Sequence, residues 1–390
     1  MQILYVAFKD FSKLHFGASK KVLKECAAFE AAGHTVTLIG REGDRVVTLT
    51  TDGRSTPIAP IPRNPVGKLQ PLTDKNTQMA TVARYVADKA FDFCYIRYDL
   101  CTGKFLSMLR AVRRVCPRIF LEIPTYPYDR EYSGRLNRLR LWYDGVTARK
   151  LCRYVDRVVT FYPVPDGQIF GIPCLIVPNG FDFSEVSLIR EDAVPEDIHI
   201  AAVSSMREWH GYERMLTGMY RYYTDHGERA VYLHLVGDGR ECGKYRELTA
   251  RYGLEERVVF HGALHSEALD ALLESCTLGV DSLARHRTGI AVLSSLKSRE
   301  YGAKGIPFIN SCAIDIIDDT FPYMLQVPAD ESPVDIRQVV EYYDRIFAAG
   351  SRLQVAQAVR AYIEVRSDMH AVMRQVLAAI PTHNDTGREL

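Results

Sequence analysis

Serines at 294 and 295, a lysine at 297 and a glutamate at 300 fall in the stretch SSLKSREYGAKGIPFI (294–309), which runs on through Gly305 and Pro307 into an apolar segment. Either serine is a good helix N-cap, and the free backbone N–H groups of a helix start, with its dipole, form a site for phosphate. Lys297 falls in the first turn, where a cation opposes the dipole, so a bound anion explains it better than helix stability does. Glu300 lies one turn further on the same face, at the reach where a carboxylate accepts both hydroxyls of a ribose. The plain alternative is a solvated face on which Glu300 pairs with Lys304 at i,i+4.

Other segments could add to such a site. LVGDG (235–239) ends a strand at Gly237 and Gly239, where a backbone can approach a ligand, although turn chemistry asks for the same residues. SSMREWHGYERML (204–216) follows a strand and opens a helix, which sets Arg207 and His210 where they could meet an anion; His210 could equally pack beside Trp209. VPNGFD (177–182) reads as a turn, and FHGAL (260–264) closes a further strand.

The elements that must position these residues follow from the apolar pattern. Short apolar runs alternate with amphipathic helical stretches: ILYVAF, SKKVLKECAAFEAAG and TVTLIG make a β-α-β unit with Gly33 as helix stop. Further strands are expected at 94–98, 118–123, 157–161 and 174–178. The pattern then restarts at 198–205, 230–239, 257–263, 277–283 and 306–311. The reading is an α/β protein of two Rossmann-like domains facing across a cleft. The first spans 1–175 and is completed by a C-terminal helix at 366–380; the second spans 176–365.

Composition sets the outer bounds. The 390 residues are 47% hydrophobic and 25% charged with a formal charge of +1, which gives no global field favouring nucleic acid. Nine cysteines show no CxxC pair and no clustering with histidine, and read as reduced thiols of a cytoplasmic protein. No window approaches a membrane span of about 20 apolar residues. There is no DxD pattern, and neither a metal nor a cofactor is expected.

In order and spacing, VPNGFD, WHGYERML, LVGDG, VVFHGALHSEALDALL and LKSREYGAKGIPFI resemble the C-terminal half of retaining GT-B glycosyltransferases of family 4. HFGASKKVLKECAAFEAAGHTVTLI and LEIPTYPYDREY resemble the N-terminal, acceptor-side half of its capsular and exopolysaccharide branch. The resemblance implies that Glu300 binds the nucleotide ribose and that backbone amides at Ser294 and Ser295 hold the donor diphosphate with Lys297 close by. His210 stands where the family has a diphosphate-binding lysine, and Ser205 where it has an arginine, so compensation falls to Arg207, Lys297 or Arg287. Val292 replaces the first glutamate of the family pair, leaving Arg285, His286 and Arg287 to meet the sugar. Gly237 and Leu264 join the donor-binding set, Gly17 leaves room for the sugar, and Tyr126, followed by Asp129, is the nearest match to the acceptor-side histidine. Lys297, Arg207, His210 and Tyr126 form the expected catalytic set.

The implied reaction is transfer of a hexosyl group, with retention, from a nucleotide diphosphate sugar, a UDP-sugar ahead of a GDP-sugar. The acceptor is a glycan or a polyprenyl-diphosphate-linked sugar. An inactive subunit that binds a partner transferase and a nucleotide-sugar epimerase are the competing readings. Residues 101–158 hold 13 Lys and Arg against 5 Asp and Glu. Within them, SGRLNRLRLWYDGVTARKLCRYVDR (133–157) has two readings. Its Leu and Trp residues pack on the core with arginines in water, or it lies against an anionic leaflet as a peripheral anchor on the inner face of the plasma membrane.

Overall fold

The computed structural model describes residues 1–12, 17–129, 135–348 and 350–381. They divide into two units, Met1–Gly180 with the chain from Met369, and Phe181–Asp368. The first unit runs β1 (Gln2–Asp10), α1 (Gly17–Ala31), β2 (Thr35–Glu42), β3 (Arg45–Leu49), β4 (Ser55–Pro60), α2 (Gln70–Tyr85), β5 (Phe93–Arg97), α3 (Gly103–Arg113), β6 (Ile119–Ile123), α4 (Arg135–Ala148), β7 (Arg157–Thr160), β8 (Gln168–Ile169) and β9 (Ile172–Ile176). The sheet order is β4-β3-β2-β1-β5-β6-β7-β9-β8, parallel from β2 through β9. β3 and β4 extend the edge as antiparallel hairpins turning at Gly43 (φ 54°) and Gly53 (φ 85°).

Apart from a buried Arg97–Glu122 ion pair, the central strands β5 and β6 are apolar because helices cover both faces. Alternate residues of β1, β5 and β6 serve opposite layers. Leu4, Val6, Cys94, Ile96 and Leu121 pack with Met79 and Val82 of α2 and Phe105 and Met108 of α3. Ile3, Tyr5, Phe93, Tyr95 and Phe120 pack with Val22, Cys26 and Phe29 of α1. The last helix, α11 (Met369–Ala378), closes that second layer through Val372, Met373 and Val376.

The second unit comprises β10 (Ile198–Val203), α5 (Glu213–Thr224), β11 (Val231–Val236), α6 (Cys242–Arg251), β12 (Val258–Gly262), α7 (Ser266–Ser275), β13 (Leu278–Val280), β14 (Val292–Leu293), α8 (Leu296–Lys304), β15 (Phe308–Asn310), β16 (Ala313–Ile314), β17 (Met324–Gln326), α9 (Ile336–Phe347) and α10 (Arg352–Ser367). α11 (Met369–Ala378) then returns the chain to the first unit. The main sheet is parallel, in the order β12-β11-β10-β13-β15-β17, and β14 pairs with β16 beside it. One face packs on α5, α6 and α9, the other on α8 and α10. A Cβ at Gly302 would meet Ile363 at 2.5 Å, so α8 and α10 sit together only because that residue is glycine. Gly305 (φ 82°) ends α8 in the left-handed conformation.

Three histidines bridge adjacent strands of this sheet. His199 Nδ1 lies 2.9 Å from His234 Nε2, and His234 Nδ1 lies 3.0 Å from His261 Nε2. Each neutral imidazole donates one bond and accepts one, so the row holds together while adjacent rings are uncharged. Burial, then its two histidine neighbours, push His234 down to about 4 from the ordinary 6.5. The unfolded chain therefore takes up this proton first, and stability is full above the unfolded value and is lost as pH falls toward the folded one. Urea unfolding at about pH 7 and about pH 5 should show the wild type losing about 2 kcal/mol more than His234→Gln between the two conditions. Equal losses would mean that the row does not titrate with folding.

Candidate functional site

In the second unit, the loop after β10, the loop after β13 and the start of α8 bring a set of cations together. Ser295 is the N-cap of α8, its Oγ accepting from Lys297 N–H at 3.1 Å. Ser294, also expected to serve the phosphate, donates its hydroxyl to Asp315 Oδ2 at 2.6 Å. Asp315 pairs in turn with the fully buried Arg299. The helix tip is thus held from behind by a buried guanidinium–carboxylate pair.

Lys297 reaches the two residues that follow β13. Its Nζ lies 2.9 Å from Asp281 Oδ1 and donates to Ser282 Oγ at 3.1 Å; Asp281 has no exposure and Lys297 only 16%. Burial would raise the Asp281 carboxyl, yet Lys297 and Arg285 hold it below the usual range. Burial lowers the Lys297 ammonium, with Arg285 adding to the effect and Asp281 opposing it. The sequence pattern named Lys297 but missed Asp281, whose only signal is an acid at the end of the apolar run TLGVDSL.

His210 is buried on Tyr212, with ring centroids 5.6 Å apart, and its Nδ1 accepts from Arg207 N–H at 2.9 Å. That bond leaves the ring proton on Nε2, which makes the neutral side chain a donor. Burial first, then Lys297, Arg285 and Arg207, push its pKa far below the ordinary value. Four candidate donors, Arg207, His210, Arg285 and Lys297, therefore share one electrostatic neighbourhood. Among the described residues, neither Arg207 nor Arg285 has a carboxylate within ion-pair distance. Arg285 lies over Trp209 at 5.4 Å, and its Nε is buried without an acceptor.

Backbone packing fixes these loops. A Cβ at Gly211 (φ 64°) would meet Ala284 Cβ at 2.6 Å, and Leu283 N–H donates to His210 C=O at 2.8 Å. Arg214, 2% exposed, donates to the carbonyls of Leu283, Pro328 and Ser332 and ties the loops together. The space that glycine makes at 237 (φ 113°) is taken by the Ser204 carbonyl, 1.9 Å from a built Cβ, and Gly237 N–H donates to Gly262 C=O at 2.7 Å. Gly237, expected to let this backbone come close to a ligand, is required to be glycine by a loop–loop contact.

The remaining candidates divide. Arg287, expected at the donor, is tied to Glu213 at 2.8 Å and Glu331 at 2.5 Å, and His286 Nε2 lies 2.7 Å from Glu331. Hydrogen bonds from Arg287 and then His286 draw the Glu331 carboxyl down to about 2. Ser205 is exposed in the loop after β10, and Leu264 is half-buried between β12 and α7. Glu300 is half-buried one turn past Lys297. Lys304, its i,i+4 neighbour, is fully buried and pairs with Asp270 at 2.7 Å and Glu274 at 2.9 Å. Tyr126 and Gly17 belong to the first unit, where Tyr126 is half-buried against Tyr128 and Gly17 begins α1; residues 13–16 before it lie outside the described residues.

Asp281→Asn leaves a buried lysine without its counter-charge and should lower stability by about 3 kcal/mol in denaturant melts; adding Lys297→Met should restore much of the loss. A double variant no more stable than Asp281→Asn would show that the two do not act as a pair. The His210 ring should show no protonation by NMR between about pH 8 and about pH 5 in the free protein, since its folded value is depressed. Titration near the ordinary value would mean that the imidazole is open to water.

No family model matches the sequence, and no curated protein matches it. Solved structures do. HepE from Anabaena in complex with UDP aligns at a TM-score of 0.64 with 14% identity, covering 97% of this chain and 99% of that one. Sucrose-phosphate synthase from Thermosynechococcus elongatus aligns at 0.66 with 16% identity, over 97% and 100%. WaaG, a glycosyltransferase involved in lipopolysaccharide biosynthesis, aligns at 0.57 with 14% identity, over 99% and 100%. Over nearly its whole length, this chain has the α/β fold of GT-B glycosyltransferase structures.

Proposed function

We propose that the chain is a retaining glycosyltransferase that moves a hexosyl group from a nucleotide diphosphate sugar to a glycan or polyprenyl-diphosphate-linked acceptor in cell-surface polysaccharide synthesis. The observation that carries this reading is the gathering of Arg207, Arg285, Lys297 and the Nε2–H of His210 near the first turn of α8, with Asp281 buried against Lys297. Such a cluster suits a doubly charged leaving group. HepE, which shares the fold, has been solved with UDP and with UDP-glucose, which favours a UDP-sugar as donor. Retention, the branch within family 4 and the polysaccharide context rest on the motifs quoted above.

In this reading the bond between the anomeric carbon and the β-phosphate oxygen breaks while the acceptor oxygen bonds to the same face of that carbon. The acceptor proton passes to the departing phosphate. Charge builds on the diphosphate, and donors already fixed in place stabilise it more in the transition state than in the ground state. Lys297 is held by Asp281, so it pays little reorganisation as that charge develops. His210 supplies a hydrogen bond where a lysine would supply a charge, and Arg207 and Arg285 make up the difference. Glu300 takes the ribose hydroxyls, and Tyr126 is assigned to the acceptor.

Calorimetry with UDP tests the site. Arg207→Ala and Arg285→Ala should each weaken binding by about tenfold to a hundredfold, the loss of a hydrogen bond to a charged group. Glu300→Ala should weaken it by about tenfold, and Lys297→Ala should depress turnover more than affinity. Wild-type UDP affinity in the Arg285→Ala and Glu300→Ala variants would refute the assignment.

A further inference from the structure

The outer face of α4 is apolar, and among the described residues nothing covers it. Leu139 is 61% exposed, Trp142 65%, Tyr143 44% and Val146 50%. Their spacing, i, i+3, i+4 and i+7, sets them in one stripe along the helix. Four large apolar side chains in a row are more than the scattered exposed residues of an ordinary surface. Of the two packings open to this segment, the one that turns Leu139 and Trp142 into the core is not the one found.

The opposite face fixes this orientation. Asp144, 2% exposed, accepts from the Tyr98 and Tyr128 hydroxyls and from Cys101 N–H, each at 2.5 Å. Thr147 donates to Cys101 C=O at 2.9 Å. Rotating α4 to bury the stripe would tear a carboxylate from three donors and expose Ala148 and Leu151, which have no exposure now. The helix is locked with its apolar side outward.

Charge around the stripe points to its occupant. Arg138, Arg149, Lys150 and Arg153 are all exposed beside it. The acids of the same segment face elsewhere: Asp144 is buried as described, and Asp156 binds Arg113 at 2.7 Å and Ile119 N–H at 2.8 Å. A shallow groove lined by Leu72, Gly103, Lys104 and Tyr143 continues the surface toward the start of α2, where Val66, Leu69 and Leu72 are 55%, 40% and 43% exposed. A second copy of the chain, meeting this face isologously, would set one basic rim against another.

We infer that this face of the first unit docks on an anionic lipid bilayer, with Leu139, Trp142, Tyr143 and Val146 entering the interface and the basic residues meeting the headgroups. Tryptophan and tyrosine suit that depth because one end of each ring is apolar and the other polar. The contact is peripheral: among the described residues no helix is long and apolar enough to cross a membrane. It does not depend on the transferase reading, since its evidence lies wholly within the first unit.

Cosedimentation with vesicles tests it. The full chain should pellet with equimolar phosphatidylcholine and phosphatidylglycerol at low salt, stay in solution with phosphatidylcholine alone, and release as salt rises. Leu139→Ser/Trp142→Ser should weaken vesicle binding by at least about tenfold. Arg149→Gln/Lys150→Gln/Arg153→Gln should weaken it by about a hundredfold, roughly fivefold per base. These side chains are exposed, so circular dichroism should show both variants folded. The inference is overturned if the wild type stays in the supernatant with anionic vesicles, or if either variant binds them as tightly as the wild type. It is also overturned if sedimentation equilibrium shows a dimer that Trp142→Ser abolishes and no vesicle binding, because a second copy would then cover the stripe.

Discussion

Asp281, with no exposure to water, faces Lys297 at 2.9 Å in the first turn of α8, and the candidate site depends on that pair. A lysine there opposes the helix dipole, and a buried carboxylate costs several kcal/mol in desolvation unless it is paired. Each corrects the other's penalty. The result is an ammonium fixed beside a helix tip, within the field of Arg285, instead of a flexible lysine free to follow the solvent. Ser294, Arg299 and Asp315 hold the same tip from behind, so the geometry is set before any ligand arrives.

Cations in the second unit fall into two kinds, and partners separate them. Arg299 and Lys304 are buried against carboxylates, Arg214 is spent on three loop carbonyls, and Arg287 is clasped by two glutamates. These hold loops and helices in register. Arg207 and Arg285 have no such partner among the described residues, and an unpaired guanidinium beside a neutral histidine and a fixed lysine is a local excess of positive charge. Packing, not total charge, concentrates that excess in a chain of formal charge +1.

The same logic runs through the first unit with the opposite outcome. Asp144 draws α4 down by three hydrogen bonds, and among the described residues nothing covers the face turned away. In the second unit a buried acid holds a lysine beside two arginines and a neutral histidine; in the first, a buried acid arranges an apolar stripe with a basic border. Both acids sit in segments whose sequence advertises the neighbouring cations far more loudly.

The sequence by itself determined the alternation of strands and helices, because strand and helix periods survive in the order of apolar residues. It also marked the α8 stretch, because an N-cap serine and a helix-ending glycine act locally. The edge hairpin of β3 and β4 escaped it, since RVVTL and STPIAP are short and one-sided. Only the tertiary structure decided between cations of identical type: Arg285 and Arg287 are two residues apart, yet one meets an indole and the other two carboxylates from distant segments. It also decided which side of α4 faces in, because Tyr98 and Cys101 reach Asp144 from more than 40 positions away. Local pattern fixes an element; which of its faces carries function depends on partners that folding alone brings near.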